Sequence, residues 1–264
     1  MLLLYLTDGV FYYGLVYCLL ITFTMSGHSK WSQIKRKKGV ADVQRGKIFS
    51  KVAKMISVAA REGGDPEMNS KLRMAIEKAR EVNMPRDNIE RAIKRGTGEV
   101  KGVKIEEISY EAYGPGGIAL IIEVATDNKN RTLSEIKHIL SRFGGRLGES
   151  GSVKWMFSRK GVIECEISGD KNKNDLELLI IDAGAEDIKQ KGEILEIYTK
   201  EGELDKVKEN LESQGIKIKS ASLDWIAKDS VTIEDKKTKE QIEKLFEVLD
   251  EQEDVQEIYS NFIT

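Results

Sequence analysis

Apolar side chains between residues 40 and 62 recur at helical spacing. Phe49, Val52, Ala53, Ile56, Ala59 and Ala60 follow i, i+3, i+4, i+7 and share one face. Gly63-Gly64-Asp65-Pro66 breaks the pattern. A second helix follows with Leu72, Ala75, Ile76, Ala79 and Val82 inward. Pro85 marks the start of a third, with Ile89, Ala92 and Ile93 inward and Gly96 as its stop. Three short amphipathic helices predict a small bundle over residues 25–100.

From about Ile105 the period changes to two. Ile108, Tyr110 and Ala112 lead into Gly114-Pro115-Gly116-Gly117, and Ile118–Ala125 is a β-rich run. Leu133, Ile136, Leu140 and Phe143 define a helix closed by Gly144-Gly145, and Val153, Trp155 and Phe157 alternate as a returning strand. A second unit reads strand (Val162–Ile167), helix (Leu176–Ala183), strand (Ile194–Thr199), helix (Leu204–Ser213), strand (Ile216–Leu223). It forms a self-sufficient βαβαβ-type module. The chain ends in one helix, Thr238–Leu249, and one strand, Val255–Phe262, which have no partners of their own. They are expected to complete the sheet begun at 105–160. The expected fold is therefore α+β: a three-helix bundle (25–100), an α/β domain (101–160 plus 229–264) and a second α/β domain (161–228) inserted into it, both ferredoxin-like.

The first 24 residues stand apart. They carry one charge, Asp8, and an apolar run, Val10–Phe23, of 14 residues. A spanning helix needs roughly 20, and a secretory signal would want basic residues at its start and a small-x-small cleavage site. Met25 then opens a polar, Lys-rich segment. Residues 1–24 are read as a spurious extension upstream of the natural start, with a signal anchor as the alternative. The expected location is cytoplasmic, with no membrane partner.

Composition changes the picture only when charge is resolved by region. Over 264 residues, 42 basic and 44 acidic side chains leave a net charge of −2. Residues 26–100 hold 18 basic against 9 acidic groups (net +9), and 101–160 hold 10 against 7 (net +3). Residues 161–228 are at −6 and 229–264 at −7. The chain is dipolar, which a near-neutral total conceals.

Catalytic chemistry is hard to assemble from these residues. Two cysteines, Cys18 and Cys165, build neither a disulfide framework nor a Cys-rich zinc site. His28 and His138 lie in polar surroundings and pair by spacing with no nucleophile, and Cys165 falls in a strand pattern as a small buried hydrophobe. Gly114-Pro115-Gly116-Gly117 lacks the Gly-Lys-Ser/Thr ending of a phosphate loop and joins two strands, so it reads as a hairpin. No enzyme, metal, cofactor or small-molecule substrate is expected.

The basic segment carries the functional expectation. Lys30, Lys35, Arg36, Lys37 and Lys38 form a basic arm containing Trp31, and Arg45 follows. Lys47, Lys51, Lys54 and Arg61 occupy offsets 0, 4, 7 and 14, a single stripe on the first helix. Such cations release counterions from phosphates and supply non-specific affinity for nucleic acid. Trp31 either stacks on an exposed base or anchors the arm to the bundle. Asp127-Asn128-Lys129-Asn130-Arg131-Thr132 runs into a helix start. Free N–H groups, Lys129 and Arg131 could receive a phosphate there, or the segment is an Asx-type cap. No helix-turn-helix spacing argues for base readout in a major groove.

Several segments together resemble the YebC (PmpR) family. They are Met25-Ser26-Gly27-His28-Ser29-Lys30-Trp31, Arg45-Gly46-Lys47-Ile48-Phe49, Asn83-Met84-Pro85-Arg86-Asp87-Asn88-Ile89, Tyr110-Glu111-Ala112-Tyr113-Gly114-Pro115-Gly116-Gly117 and Asp127–Thr132. Gly151-Ser152-Val153 and Asp254-Val255-Gln256-Glu257-Ile258-Tyr259 belong to the same set. The resemblance runs from Met25 to the C-terminus and implies three domains, a helical bundle and two α/β domains, one inserted in the other. It brings no catalytic residues. It implies a probable transcriptional regulator with DNA-binding activity, while relatives such as a mitochondrial translational activator of cytochrome c oxidase subunit I act in translation. The expected function is a non-enzymatic regulator of gene expression that binds DNA. A ribosome-associated factor binding ribosomal RNA is the alternative, and a protein-interaction scaffold a second one.

Overall fold

The structure is a computed structural model, and it describes residues 42–100, 104–166, 173–192 and 194–263. The expectations for residues 1–24 and for the basic arm fall outside these.

Helix α1 (Asp42–Ala59) continues into a 3-10 turn, Ala60–Glu62, and is followed by α2 (Ser70–Glu81) and α3 (Arg86–Gly96). Their apolar stripes meet: Val52, Ile56, Ala59 and Ala60 pack with Leu72, Ala75, Ile76, Ala79, Ile89 and Ala92. The connections are made by specific polar groups. The Asn69 side chain accepts from Leu72 N at 3.0 Å, capping α2, while its Nδ2 donates to Ala59 O and Gly63 O at 2.8 Å each. One buried side chain thus joins the end of α1 to the start of α2. Asn83 takes the left-handed conformation (φ 57°) that an Asn tolerates, and Pro85 precedes α3. Gly96 is helical rather than a left-handed stop. A Cβ there would lie 2.3 Å from Ser57 O and 2.6 Å from Ala60 Cβ, so α1 and α3 approach over it.

Strands β1 (Glu106–Tyr113) and β2 (Ala119–Thr126) form an antiparallel hairpin, followed by α4 (Lys129–Arg142) and β3 (Arg146–Leu147). The Gly-rich turn is the hairpin connection. Gly116 (φ 71°) lies against Ile233 Cδ1, 2.8 Å from where a Cβ would be.

Next come β4 (Phe157–Glu166), α5 (Lys173–Asp182), β5 (Asp187–Lys191), β6 (Ile194–Lys200), α6 (Leu204–Ser213) and β7 (Ile218–Ala227). They form an antiparallel sheet in the order β5-β6-β4-β7. This βαββαβ unit is ferredoxin-like. The strand β5 is absent from the expected βαβαβ reading, because Asp187-Ile188-Lys189-Gln190-Lys191 has one apolar residue. It is an edge strand, where charge is the ordinary protection.

After β8 (Val231–Thr232), helix α7 (Lys236–Glu251) and β9 (Val255–Ser260) return to the first sheet, whose order is β3-β1-β2-β9. The short β10 (Phe262–Ile263) pairs in parallel with β8. Leu120, Ile122 and Val124 of β2 pack under Ile136, Leu140, Ile242, Leu245 and Leu249 of α4 and α7. Ala119 and Ile121, on the opposite face, meet Val153, Phe157, Trp225 and Tyr259. Burial on both faces explains why 118–125 is apolar at every position except Glu123.

The expected strand through Val153, Trp155 and Phe157 is corrected. Lys154–Met156 is a 3-10 turn, and β4 begins only at Phe157. The buried Glu111 carboxylate is the cause. It accepts the N–H groups of Gly151 (2.6 Å), Val153 (2.7 Å) and Lys154 (2.8 Å), curling the segment away from extended geometry. Burial by itself raises the pKa of Glu111, but these three donors outweigh it and hold the carboxyl below its ordinary value. Among the described residues no helix is long and apolar enough to cross a membrane.

Candidate nucleic-acid interface

Helix α1 lies along β2 and β9, and this placement decides what its basic stripe does. Lys51 Nζ sits 3.1 Å from Asp250 Oδ1 and also donates to the Asp250 carbonyl. Lys54 pairs with Asp254 and reaches Glu253 O at 3.3 Å. To exchange counterions with phosphates, the stripe needs to be free of internal acidic partners. At Lys51 and Lys54 it is held by the acidic segment that runs from the last turn of α7 to β9. Lys47 is partly exposed and Arg61 is exposed, while the side chain of Arg45 lies outside the described set, as do Lys30, Trp31, Lys35, Arg36, Lys37 and Lys38.

Asp254 is the centre of this junction. Its side chain is 1 % exposed and receives Lys54 from the helical domain. Arg131 Nη2 reaches it at 2.9 Å and the Thr132 hydroxyl at 2.6 Å, both from the start of α4. Burial pushes Asp254 up, but the hydrogen bonds from Lys54, Thr132 and Arg131 outweigh it and hold the carboxyl well below the usual carboxylate range. Arg131 also meets Asp127 at 2.9 Å, and Lys129 pairs with Glu106. The Asn128 side chain caps α4 by accepting from Arg131 N at 3.1 Å. Of the two readings of 127–132, the geometry is that of the cap. The Arg131 guanidinium and the Thr132 hydroxyl are engaged by Asp254, and Lys129 by Glu106.

The cations left to solvent are elsewhere on the bundle. On α3, Ile89 and Ala92 face the core, and Arg91, Lys94 and Arg95 lie on the outer side, exposed and without an ion pair among the described residues. Arg61 is likewise exposed and without an ion pair there. The longer stripe on α1 is the more conspicuous in the sequence, although the i, i+3, i+4 spacing of Arg91, Lys94 and Arg95 on α3 is legible there too. Among the described residues no group of three or more His, Cys, Asp or Glu side chains could hold a metal ion. Cys165 is buried, which pushes its thiol pKa up. His138 is exposed on α4.

Two family models match consecutive parts of the chain. Residues 29–99 match the TACO1/YebC protein N-terminal domain, and residues 105–262 match the TACO1/YebC second and third domain. The chain belongs to the TACO1/YebC family. A relative from Halothermothrix orenii, named "Probable transcriptional regulatory protein", is 53% identical over 240 residues, covering 90% of this chain and 95% of its own. One from Sulfurihydrogenibium, also named a probable transcriptional regulatory protein, is 51% identical over 241 residues, with the same coverage of 90% and 95%. A conserved hypothetical protein from Aquifex aeolicus, solved by crystallography, is similar in fold with a TM-score of 0.77. It shares 46% identity over 88% of this chain and 96% of its own. Several family motifs have structural work here: Asn83-Met84-Pro85 turns α2 into α3, Glu111 gathers Gly151 to Lys154, and Asp127–Thr132 docks on Asp254.

Proposed function

We propose that this TACO1/YebC protein is a cytoplasmic, non-enzymatic regulator of gene expression that binds nucleic acid through its helical domain. The observation that carries the reading is the cationic face of α3, Arg91, Lys94 and Arg95, exposed and without an ion pair among the described residues, on a domain whose sequence is net +9 over 26–100. The names of the relatives, probable transcriptional regulatory proteins, support regulation, and DNA is the nucleic acid that a transcriptional role would engage. Cations without internal partners are the ones that can exchange counterions for phosphates. Lys51 and Lys54 are given a different role, in holding the helical domain to the sheet.

Ribosomal RNA is the second reading. It is favoured by the charge of the other half, −6 over 161–228 and −7 over 229–264, which repels nucleic acid and suits a basic protein partner beside it. Salt titration of binding to duplex DNA tests the first reading. A log–log slope of about −0.9 per phosphate contact is expected, shallower in Arg91→Ala/Lys94→Ala/Arg95→Ala. A flat slope, or a triple variant that binds as the wild type does, overturns it. Co-migration with ribosomes that survives DNase but not RNase selects the RNA reading over DNA.

A further inference from the structure

We propose that Trp155 is a stacking platform for an unpaired stretch of RNA, served by Arg146, Lys154 and Lys228. The proposal rests on the nucleic-acid reading above and adds to it a second contact surface, at the junction of the two sheets.

Trp155 is 64 % exposed, yet it is fixed in place. Its Nε1–H donates to Ser152 O at 3.0 Å, and the same carbonyl accepts the Tyr113 hydroxyl at 2.9 Å. Its own carbonyl accepts Lys228 Nζ at 2.8 Å. The preceding residues are held by Glu111 through the N–H groups of Gly151, Val153 and Lys154. An indole presented to water on a pinned backbone has little conformational entropy to lose when a flat ligand covers it.

The cations nearby are arranged on the same framework. The Arg146 guanidinium lies 4.5 Å from the centroid of the Tyr113 ring, and Lys154 Nζ lies 4.9 Å from that of Trp225. Arg146, Lys154 and Lys228 are exposed, and none forms an ion pair among the described residues, in contrast to Lys51, Lys54, Lys129 and Arg131. They outnumber Glu149 and Asp229, the exposed acids closest to them in sequence. An aromatic face beside exposed cations that form no ion pair among the described residues matches a base and its flanking phosphates.

The same surface fits an apolar peptide poorly. Met68, Val100, Leu178 and Ile181, the other large apolar side chains exposed among the described residues, lie before α2, after α3 and on α5. Among the described residues Trp155 therefore has no second large, exposed apolar side chain in its own segment. One exposed ring suits one base, and a base offers its face only where it is unpaired, as in RNA loops, bulges and ends.

Binding of the full chain to a labelled oligouridine, and to an RNA duplex of equal length, tests the proposal. Trp155→Ala is expected to weaken oligouridine binding about tenfold and duplex binding little. Trp155→Phe keeps a stacking face without the Nε1–H and is expected to retain most of the affinity. Lys154→Ala and Lys228→Ala are expected to make the salt slope shallower by about 0.7 each. Oligouridine affinity unchanged in Trp155→Ala, in a protein whose triple α3 variant does lose binding, overturns the platform and leaves the proposed function standing. An equal loss in Trp155→Phe, or an equal loss on the duplex, overturns it in favour of a loop-supporting role. A wild-type chain that binds neither RNA nor DNA removes both readings.

Discussion

Asp254 shows how a single carboxylate joins two domains. Its buried oxygens take a lysine from α1 and an arginine and a threonine from α4, so one carboxylate ties both helices to the segment before β9. Asp254→Asn is expected to lower the unfolding free energy by about 2 kcal/mol, because the charge-assisted hydrogen bonds of the buried carboxylate to Lys54, Arg131 and Thr132 are lost or weakened. Chemical denaturation checks this. The folded-state pKa is depressed, so the carboxylate's stabilisation is complete well above its unfolded value of about 3.9. It drains as pH falls below about 4. Wild type should therefore lose stability in acid more steeply than Asp254→Asn, and parallel pH profiles would remove Asp254 from the account. Gly96 makes a related point, because its position at a helix end is legible in sequence while its contact with Ser57 and Ala60 is not.

At the scale of elements, the segment from Gly151 to Met156 is shaped by a residue some forty positions earlier. Three backbone donors converge on Glu111, and the alternation Val153, Trp155, Phe157 that reads as a strand becomes a turn with Trp155 outward. Glu111→Ala is expected to destabilise the fold by about 2–3 kcal/mol by leaving these donors unpaired. It should also speed hydrogen exchange at Val153 and Lys154, and unchanged protection there would show that other contacts hold the turn. The helices were far more legible. The apolar faces of α1, α2 and α3 are the ones that pack, since helical periodicity reports burial directly. The strand β5 was not legible, because an edge strand with one apolar residue has no core-facing pattern to read.

For the whole molecule, charge segregation along the chain has two consequences that sequence alone merges into one. Part of the basic domain's charge docks on the acidic C-terminal segment through Lys51–Asp250, Lys54–Asp254 and Lys78–Glu257. Part of it, on α3, faces water. Lys51→Ala/Lys54→Ala is expected to lower the melting temperature while leaving the salt slope of nucleic-acid binding unchanged. A shallower slope with an unchanged melting temperature would return these lysines to the interface.

The sequence by itself determined the α+β class, the three helices with their inward faces, the hairpin at Gly114–Gly117 and the dipolar distribution of charge. These follow from periodicity, turn chemistry and composition, which are local. Only the tertiary structure decided which cations remain available to a partner. Lys54 and Asp254 are 200 positions apart, and no spacing rule connects them. Whether a lysine is neutralised depends on what the fold brings within 4 Å, and the same long-range packing leaves Trp155 in water.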